Sequence, residues 1–286
     1  MMVLVVGLLE FDSGKTNITV GLIREALGRG INAIGMKPIG AHSGWYQYDT
    51  LERSMKMGTL VGEDAYKIWM ASKCKEPIEV ISPIDILTAP PDPDVLGLGV
   101  SYLNQLCDVW AQMVLVRLPE VFHDITRMVS RHYLALDNVL KLSSTMRKII
   151  LKLALETKAI TSKSKYIANI LFNKLRVIDN IVESLDKKYD IIFVESFNNA
   201  THPAEKALEA EKVILITPCK AYVYNGKDYA KTVRSFDKSR LLYLTTKDII
   251  PYLRPIFKVE IMPRKRTDIG SPGLDLKILL NSILSK

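Results

Sequence analysis

The sequence predicts an α/β protein: a three-layer arrangement built on a mostly parallel sheet, carrying a helical insertion. Three observations lead there. Six short apolar runs rich in β-branched residues, at Val3–Gly7, Ala33–Met36, Ile191–Glu195, Val213–Thr217, Leu241–Thr245 and Phe257–Ile261, have the length and composition of strands buried on both faces. Most of them lead into a helical pattern, and repeated strand–helix alternation produces a parallel sheet with covered faces. Between about 96 and 186 that rhythm breaks, helical periodicity takes over, and no convincing strand is legible.

The elements follow in order. Lys15–Leu27 has apolar residues at helical spacing and stops at Gly28-Arg-Gly30, a C-terminal signal. Lys206–Ala210, Asp228–Phe236 and Leu274–Leu284 read as further helices. Within the insertion, helices are expected at Ser101–Val116, Glu120–Leu140, Ser143–Thr157 and Lys165–Leu185. The chain of 286 residues is expected to form one domain with this insert.

Composition narrows the class. Hydrophobic residues make up 48% and charged residues 24%, the balance of an ordinary globular chain, which excludes disordered, collagen-like and disulfide-scaffold proteins. Cys74, Cys107 and Cys219 have no metal-ligand spacing and are odd in number, as in a reduced, cytoplasmic protein. The chain opens on an apolar strand-like run without a basic leader, so a signal peptide is not expected. No apolar run reaches the length of a membrane span. The net charge of +8 is uneven: residues 1–95 carry −3, residues 96–186 carry +4 and residues 187–286 carry +7.

The sharpest motif is Val5-Val-Gly-Leu-Leu-Glu-Phe-Asp-Ser-Gly-Lys-Thr16. A strand ends, a loop turns and a helix opens on Gly-Lys-Thr, the context of a phosphate-binding P-loop. Backbone N–H groups at such a helix start attract phosphate oxygens. The cofactor-binding run is Asp12, Ser13, Gly14, Lys15, Thr16 and Asn17, with Lys15 for the β- and γ-phosphates and Thr16 for Mg²⁺. The spacing departs from the generic motif: six residues separate Gly7 from Gly14, and Leu9 stands where the first glycine belongs.

A second strand ends in Met36-Lys-Pro38, so Lys37 would face the same crevice as the loop. Tyr189-Asp-Ile-Ile-Phe-Val-Glu195 is an apolar strand ending in a carboxylate, the Walker B pattern. Together with Gly62-Glu-Asp-Ala-Tyr66, these elements resemble the dethiobiotin synthetase family and its cobyrinic acid diamide synthase relatives, over about 1–95 and 189–245. The resemblance implies ATP and Mg²⁺ as cofactors, a homodimer, and activity as an ATP-dependent ligase or ATPase. It implies a catalytic role for Lys15 and Lys37, with Thr16, Asp64 and Glu195 at the metal and Asp49 as the alternative to Asp64. The acceptor it implies is a small carboxylate or carbamate. Two features depart from the family: Ser196-Phe-Asn-Asn-Ala-Thr-His202 replaces a glycine-rich run, and the insertion is longer.

His42, Asn198 and Asn199 are candidate substrate contacts, with His202 nearby in sequence; His123 and His132 have no ligand-pair spacing and read as structural. Thr245–Asp248 and the loop from Pro263 to Pro272 are candidates for contacting the base. Residues 141–176 hold nine basic side chains and one acid, Glu156. A basic amphipathic helix there either lies on nucleic acid or an anionic membrane surface, or is a solvated face with its apolar side on the core. The alternative function is therefore a nucleotide-dependent switch or ATPase that binds nucleic acid or a protein partner through these helices.

Overall fold

A computed structural model describes residues 1–10, 13–236, 244–263 and 273–285. Their contacts gather into two compact units: the first holds 1–38, 67–81 and 178–286, the second 39–66 and 82–177. The architecture is α/β with two mixed sheets, one of them mostly parallel.

In the first unit, β1 (Met2–Gly7), β2 (Ala33–Met36), β8 (Ile191–Glu195), β9 (Lys212–Thr217), β10 (Lys220–Asn225) and β11 (Phe257–Glu260) form one sheet in the order β11-β10-β9-β1-β8-β2. The four strands from β9 to β2 are parallel, and β10 and β11 extend them antiparallel. Every residue of β1, β2 and β8 is buried, as expected of strands covered on both faces. Because these strands run the same way, Gly7, Glu195 and the Lys37 that follows Met36 all emerge at one end of the sheet.

Helix α1 (Lys15–Gly28) follows β1 and packs beside α7 (Leu274–Leu284). Gly21 permits that approach, since a Cβ there would lie 2.3 Å from Leu276 Cδ1. The expected short helix at 206–210 is a 3₁₀ turn at Glu205–Glu209, and α6 spans Gly226–Arg234. Of the expected strand at 241–245, residues 241–243 lie outside the described residues, and Thr245 forms a single antiparallel bridge to Ala200.

The second unit corrects the helical insertion. Its sheet has the order β3-β4-β5-β6-β7, from β3 (Ile39–Ser43), β4 (Ile84–Thr88), β5 (Met113–Phe122), β6 (Met128–Ala135) and β7 (Ile160–Ser162). Three of these strands lie in the stretch read as without strands: β5 and β6 overlap expected helices, and β7 falls between two of them. The physical reason is legible afterwards. Met113–Val116 is a short apolar run whose periodicity fits helix and strand alike. Pro119 removes a donor that a helix interior needs, and the ladder shifts register between Pro119 and Val121. Asp124 then accepts from the backbone N–H of Thr126 (2.9 Å) and Arg127 (3.0 Å), an Asx turn that reverses the chain into β6.

The helices α2 (Asp49–Met57), α3 (Glu63–Ala71), α4 (Ser144–Glu156) and α5 (Ser164–Lys188) complete the labelled elements. Of these, α3 and α5 contribute residues to both units. Ser143 caps α4, its hydroxyl accepting from Met146 N–H at 3.4 Å. The inner face of α4, Met146, Ile150, Leu153 and Ala154, joins Leu51, Leu87, Val114, Leu115 and Leu134 in the core of the second unit. Each such fully buried aliphatic side chain contributes roughly 1.5–3 kcal/mol through removal of apolar surface from water. Among the described residues, no helix is long and apolar enough to cross a membrane.

Candidate functional site

The loop between β1 and α1 is shaped by its glycines. Gly14 precedes α1 at φ 84°, the left-handed region where a side chain is strained. Gly7 ends β1 beneath two loop side chains: a Cβ there would stand 2.2 Å from Ser13 Oγ and 2.8 Å from Lys15 Nζ. Thus Gly7, although outside the usual spacing, clears the space into which Ser13 and Lys15 fold. Thr246 holds the same corner from the late part of the chain, donating its hydroxyl to the Gly7 carbonyl at 2.7 Å. No sequence motif announced that contact.

Lys15 is buried, and its ammonium donates to Ser13 Oγ at 3.1 Å and to the Asn198 carbonyl at 2.7 Å. Asn198 has φ 42°, a left-handed conformation that Asn tolerates better than most residues. The Asn199 carbonyl accepts from Thr246 N–H at 2.8 Å. Both asparagines therefore serve this corner through backbone carbonyls. His202, next in this loop, pairs Nδ1 with Thr201 Oγ1 at 2.9 Å, and burial lowers its pKa.

The densest convergence is on Glu195. Its Oε1 accepts the Thr16 hydroxyl at 2.7 Å and the Lys37 ammonium at 2.8 Å. Glu195 is fully buried, and Lys37 is 6% exposed. The other oxygen, Oε2, is also buried and has no hydrogen-bond partner among the described residues. A buried carboxylate oxygen without a donor is costly. One carboxylate beside one hydroxyl is a hard oxygen donor set, suited to a small divalent cation that keeps waters and phosphate oxygens as its other ligands. The start of α1, with its dipole and backbone N–H groups, suits an anion.

The remaining candidates are distributed as follows. Asp12 lies outside the described residues, as does nearly all of the 263–272 loop. Asn17 is exposed on the first turn of α1. Asp64 sits in the first turn of α3 and belongs to the second unit, as does Asp49, whereas Thr16, Lys37 and Glu195 belong to the first. Asp248 caps the turn that begins at Thr246, accepting from the Thr245 N–H at 2.9 Å, which gives Thr245–Asp248 a local structural task.

His42, the other candidate substrate contact, is enclosed. It is buried on β3, with Nδ1 2.8 Å from Thr50 Oγ1 and Nε2 3.3 Å from Asp85 Oδ1. Thr50 donates its hydroxyl to the Gln47 carbonyl at 2.7 Å. Burial opposes ionisation of Asp85, yet the His42 ring and the Arg117 guanidinium hold its carboxyl below the usual range. Arg117, fully buried, also bonds the Leu60 carbonyl (2.5 Å) and the Ser82 carbonyl. His132 accepts the Leu60 N–H on Nε2 at 3.1 Å. Burial and then the nearby Arg117 push its pKa down to about 4. Sequence reasoning missed Asp85 and Arg117, because their pairing is across strands, not along a motif.

The basic segment includes α4, whose apolar face is in the core while Lys148 and Lys152 are exposed. Arg147 caps chain carbonyls, bonding those of Leu140 (2.6 Å) and Leu142 (2.9 Å). Among the described residues no group of three or more His, Cys, Asp or Glu side chains is arranged to hold a metal ion. Set beside known proteins, the chain matches no family model and no curated protein.

Proposed function

We propose that the protein is a Mg²⁺- and ATP-dependent P-loop NTPase with a three-layer nucleotide-binding unit, acting in the cytoplasm as an ATP-dependent ligase or ATPase of the dethiobiotin synthetase-like kind. It would activate a small carboxylate or carbamate by phosphoryl transfer. The observation that carries this reading is the convergence of Thr16 and Lys37 on Glu195 Oε1, with Oε2 buried and unpartnered among the described residues. A P-loop hydroxyl beside a strand-end carboxylate is the donor pair that Mg²⁺-nucleotide sites use.

In this reading Thr16 and Glu195 hold the metal, directly or through water. Bound Mg²⁺-ATP supplies the transferable phosphoryl group and a Lewis acid. The chain's own residues supply the rest. Lys15 exchanges its Asn198 carbonyl partner for phosphate oxygens, and Lys37 offsets charge from the strand side. Two fixed cations at a buried site stabilise the negative charge spread over the oxygens in the transition state. Gly7 and Gly14 keep the backbone close enough for N–H groups to contribute.

The test is nucleotide binding and turnover with Mg²⁺ across a panel of small carboxylic and carbamic acids. Turnover that depends on Mg²⁺ and on one of these acids supports the proposal. Turnover indifferent to all of them, stimulated by RNA or DNA and falling steeply with salt, would transfer the function to a nucleic-acid-dependent switch. Unchanged ATP binding and turnover in Lys15→Ala would remove the nucleotide site altogether.

A further inference from the structure

The last strand of the first unit, β11, forms an edge of its sheet. It pairs with β10 through Phe257 opposite Val223, Lys258 opposite Tyr222, Val259 opposite Ala221 and Glu260 opposite Lys220. Among the described residues no strand lies on its other side. Ile261 donates its N–H to the Cys219 carbonyl at 2.8 Å. Antiparallel ladders alternate, so Val259 shares that inward direction while Lys258 and Glu260 turn their N–H and C=O groups to the open edge. Apolar side chains remain uncovered along it: Ile256 is 53% exposed and Met262 59%.

Open edges are usually blocked by proline, bulges or an isolated charge. Here Pro255 and Pro263 bracket the strand and leave its middle free. The charges between them are of opposite sign and two residues apart. That spacing is self-complementary under an antiparallel two-fold pairing. With Val259 opposite its own copy, Lys258 faces the partner's Glu260, and Glu260 faces the partner's Lys258. Phe257 faces the partner's Ile261. Both charged pairs then use the residues whose backbone groups point outward, so side-chain and backbone requirements select the same register.

We propose that β11 is the interface with a second copy of this chain, joining the two sheets into one about a two-fold axis at Val259. An isologous pairing of this kind uses one patch twice, so each favourable pair occurs twice and so does each unfavourable one. Opposite charges directly across an antiparallel pair stabilise it and like charges destabilise it.

Sedimentation velocity on the full chain tests this with two single variants. The wild type is expected to be dimeric at micromolar concentration. Lys258→Glu places Glu against Glu in both pairs, and Glu260→Lys places Lys against Lys. Each is expected to raise the dimer dissociation constant at least about tenfold. An equimolar mixture of the two variants restores both pairs and is expected to re-associate as a heterodimer. The charge-swapped double variant Lys258→Glu/Glu260→Lys is expected to dimerise as the wild type does. Both side chains are exposed, and unchanged melting of the single variants shows that the fold survives. A monomeric wild type, a dimer indifferent to the single variants, or a mixture that stays dissociated would each overturn the proposal.

Discussion

Lys37 Nζ lies 2.8 Å from Glu195 Oε1, the same oxygen that accepts the Thr16 hydroxyl at 2.7 Å. Three residues from β8, from the first turn of α1 and from the residue after β2 thus meet on one buried atom. Removing one partner of such a pair leaves an uncompensated charge. Lys37→Met is expected to destabilise the protein by about 3 kcal/mol in urea unfolding. The double variant Lys37→Met/Glu195→Gln should recover part of that loss, because the orphaned charge is gone. Additive effects in this double-mutant cycle would show that the two side chains do not interact.

Gly7→Ala tests the loop geometry separately from its charges. The new methyl would press on Ser13 Oγ and Lys15 Nζ, which must both move. Nucleotide affinity is expected to fall by at least about tenfold, or roughly 1.4 kcal/mol. Gly28→Ala, where a Cβ meets nothing within 4 Å, is the control and should leave affinity unchanged. Isothermal titration with ATP and Mg²⁺ reads both.

His132 predicts a pH dependence. Its pKa of about 4 in the folded protein lies below the ordinary value of 6.5, so the unfolded chain binds more protons between those two values. Stability should therefore rise as pH increases from about 4 to about 6.5, by on the order of 3 kcal/mol in all. Asp85 acts in a lower window: its depressed pKa makes its contribution present above the ordinary carboxylate value and lost as pH falls below it. His132→Gln keeps an acceptor for the Leu60 N–H without titrating. Urea midpoints of this variant that still climb across pH 4–6.5 as in the wild type would assign the slope to another group.

The exposed cations of α4 allow a test of the basic segment. Lys148→Glu/Lys152→Glu leaves the buried face of the helix untouched and should change stability by less than about 0.5 kcal/mol. If the segment is only a solvated face, retention on heparin falls modestly and ATP turnover does not change. A collapse of RNA-stimulated turnover in this variant would instead make α4 a nucleic-acid contact.

The sequence by itself determined β1, β2, β8, β9 and β11 of the first unit, though not β10, and the strand–loop–helix context of the segment from β1 to α1. β2, β8 and α7 occupy the expected ranges, and β1, β9, α1 and β11 differ from them by one residue. These elements are continuous apolar runs or long amphipathic repeats, whose burial is dictated by their own residues. Thr16, Lys37 and Glu195 were likewise legible, because each sits at the end of a strand or the start of a helix that parallel pairing brings to one edge.

Only the tertiary structure decided the rest. The hairpin β5–β6 depends on a partner strand and an Asx turn, which a helical template cannot register. His42 was read as a candidate substrate contact, and β3 pairs with β4 and sets its ring against Asp85. Gly7 and Thr246 are 239 residues apart, and their contact exists only once the sheet is assembled. Periodicity records what one segment does to itself, whereas cross-strand ion pairs, loop clearances and open sheet edges arise from segments meeting, and no local pattern encodes them.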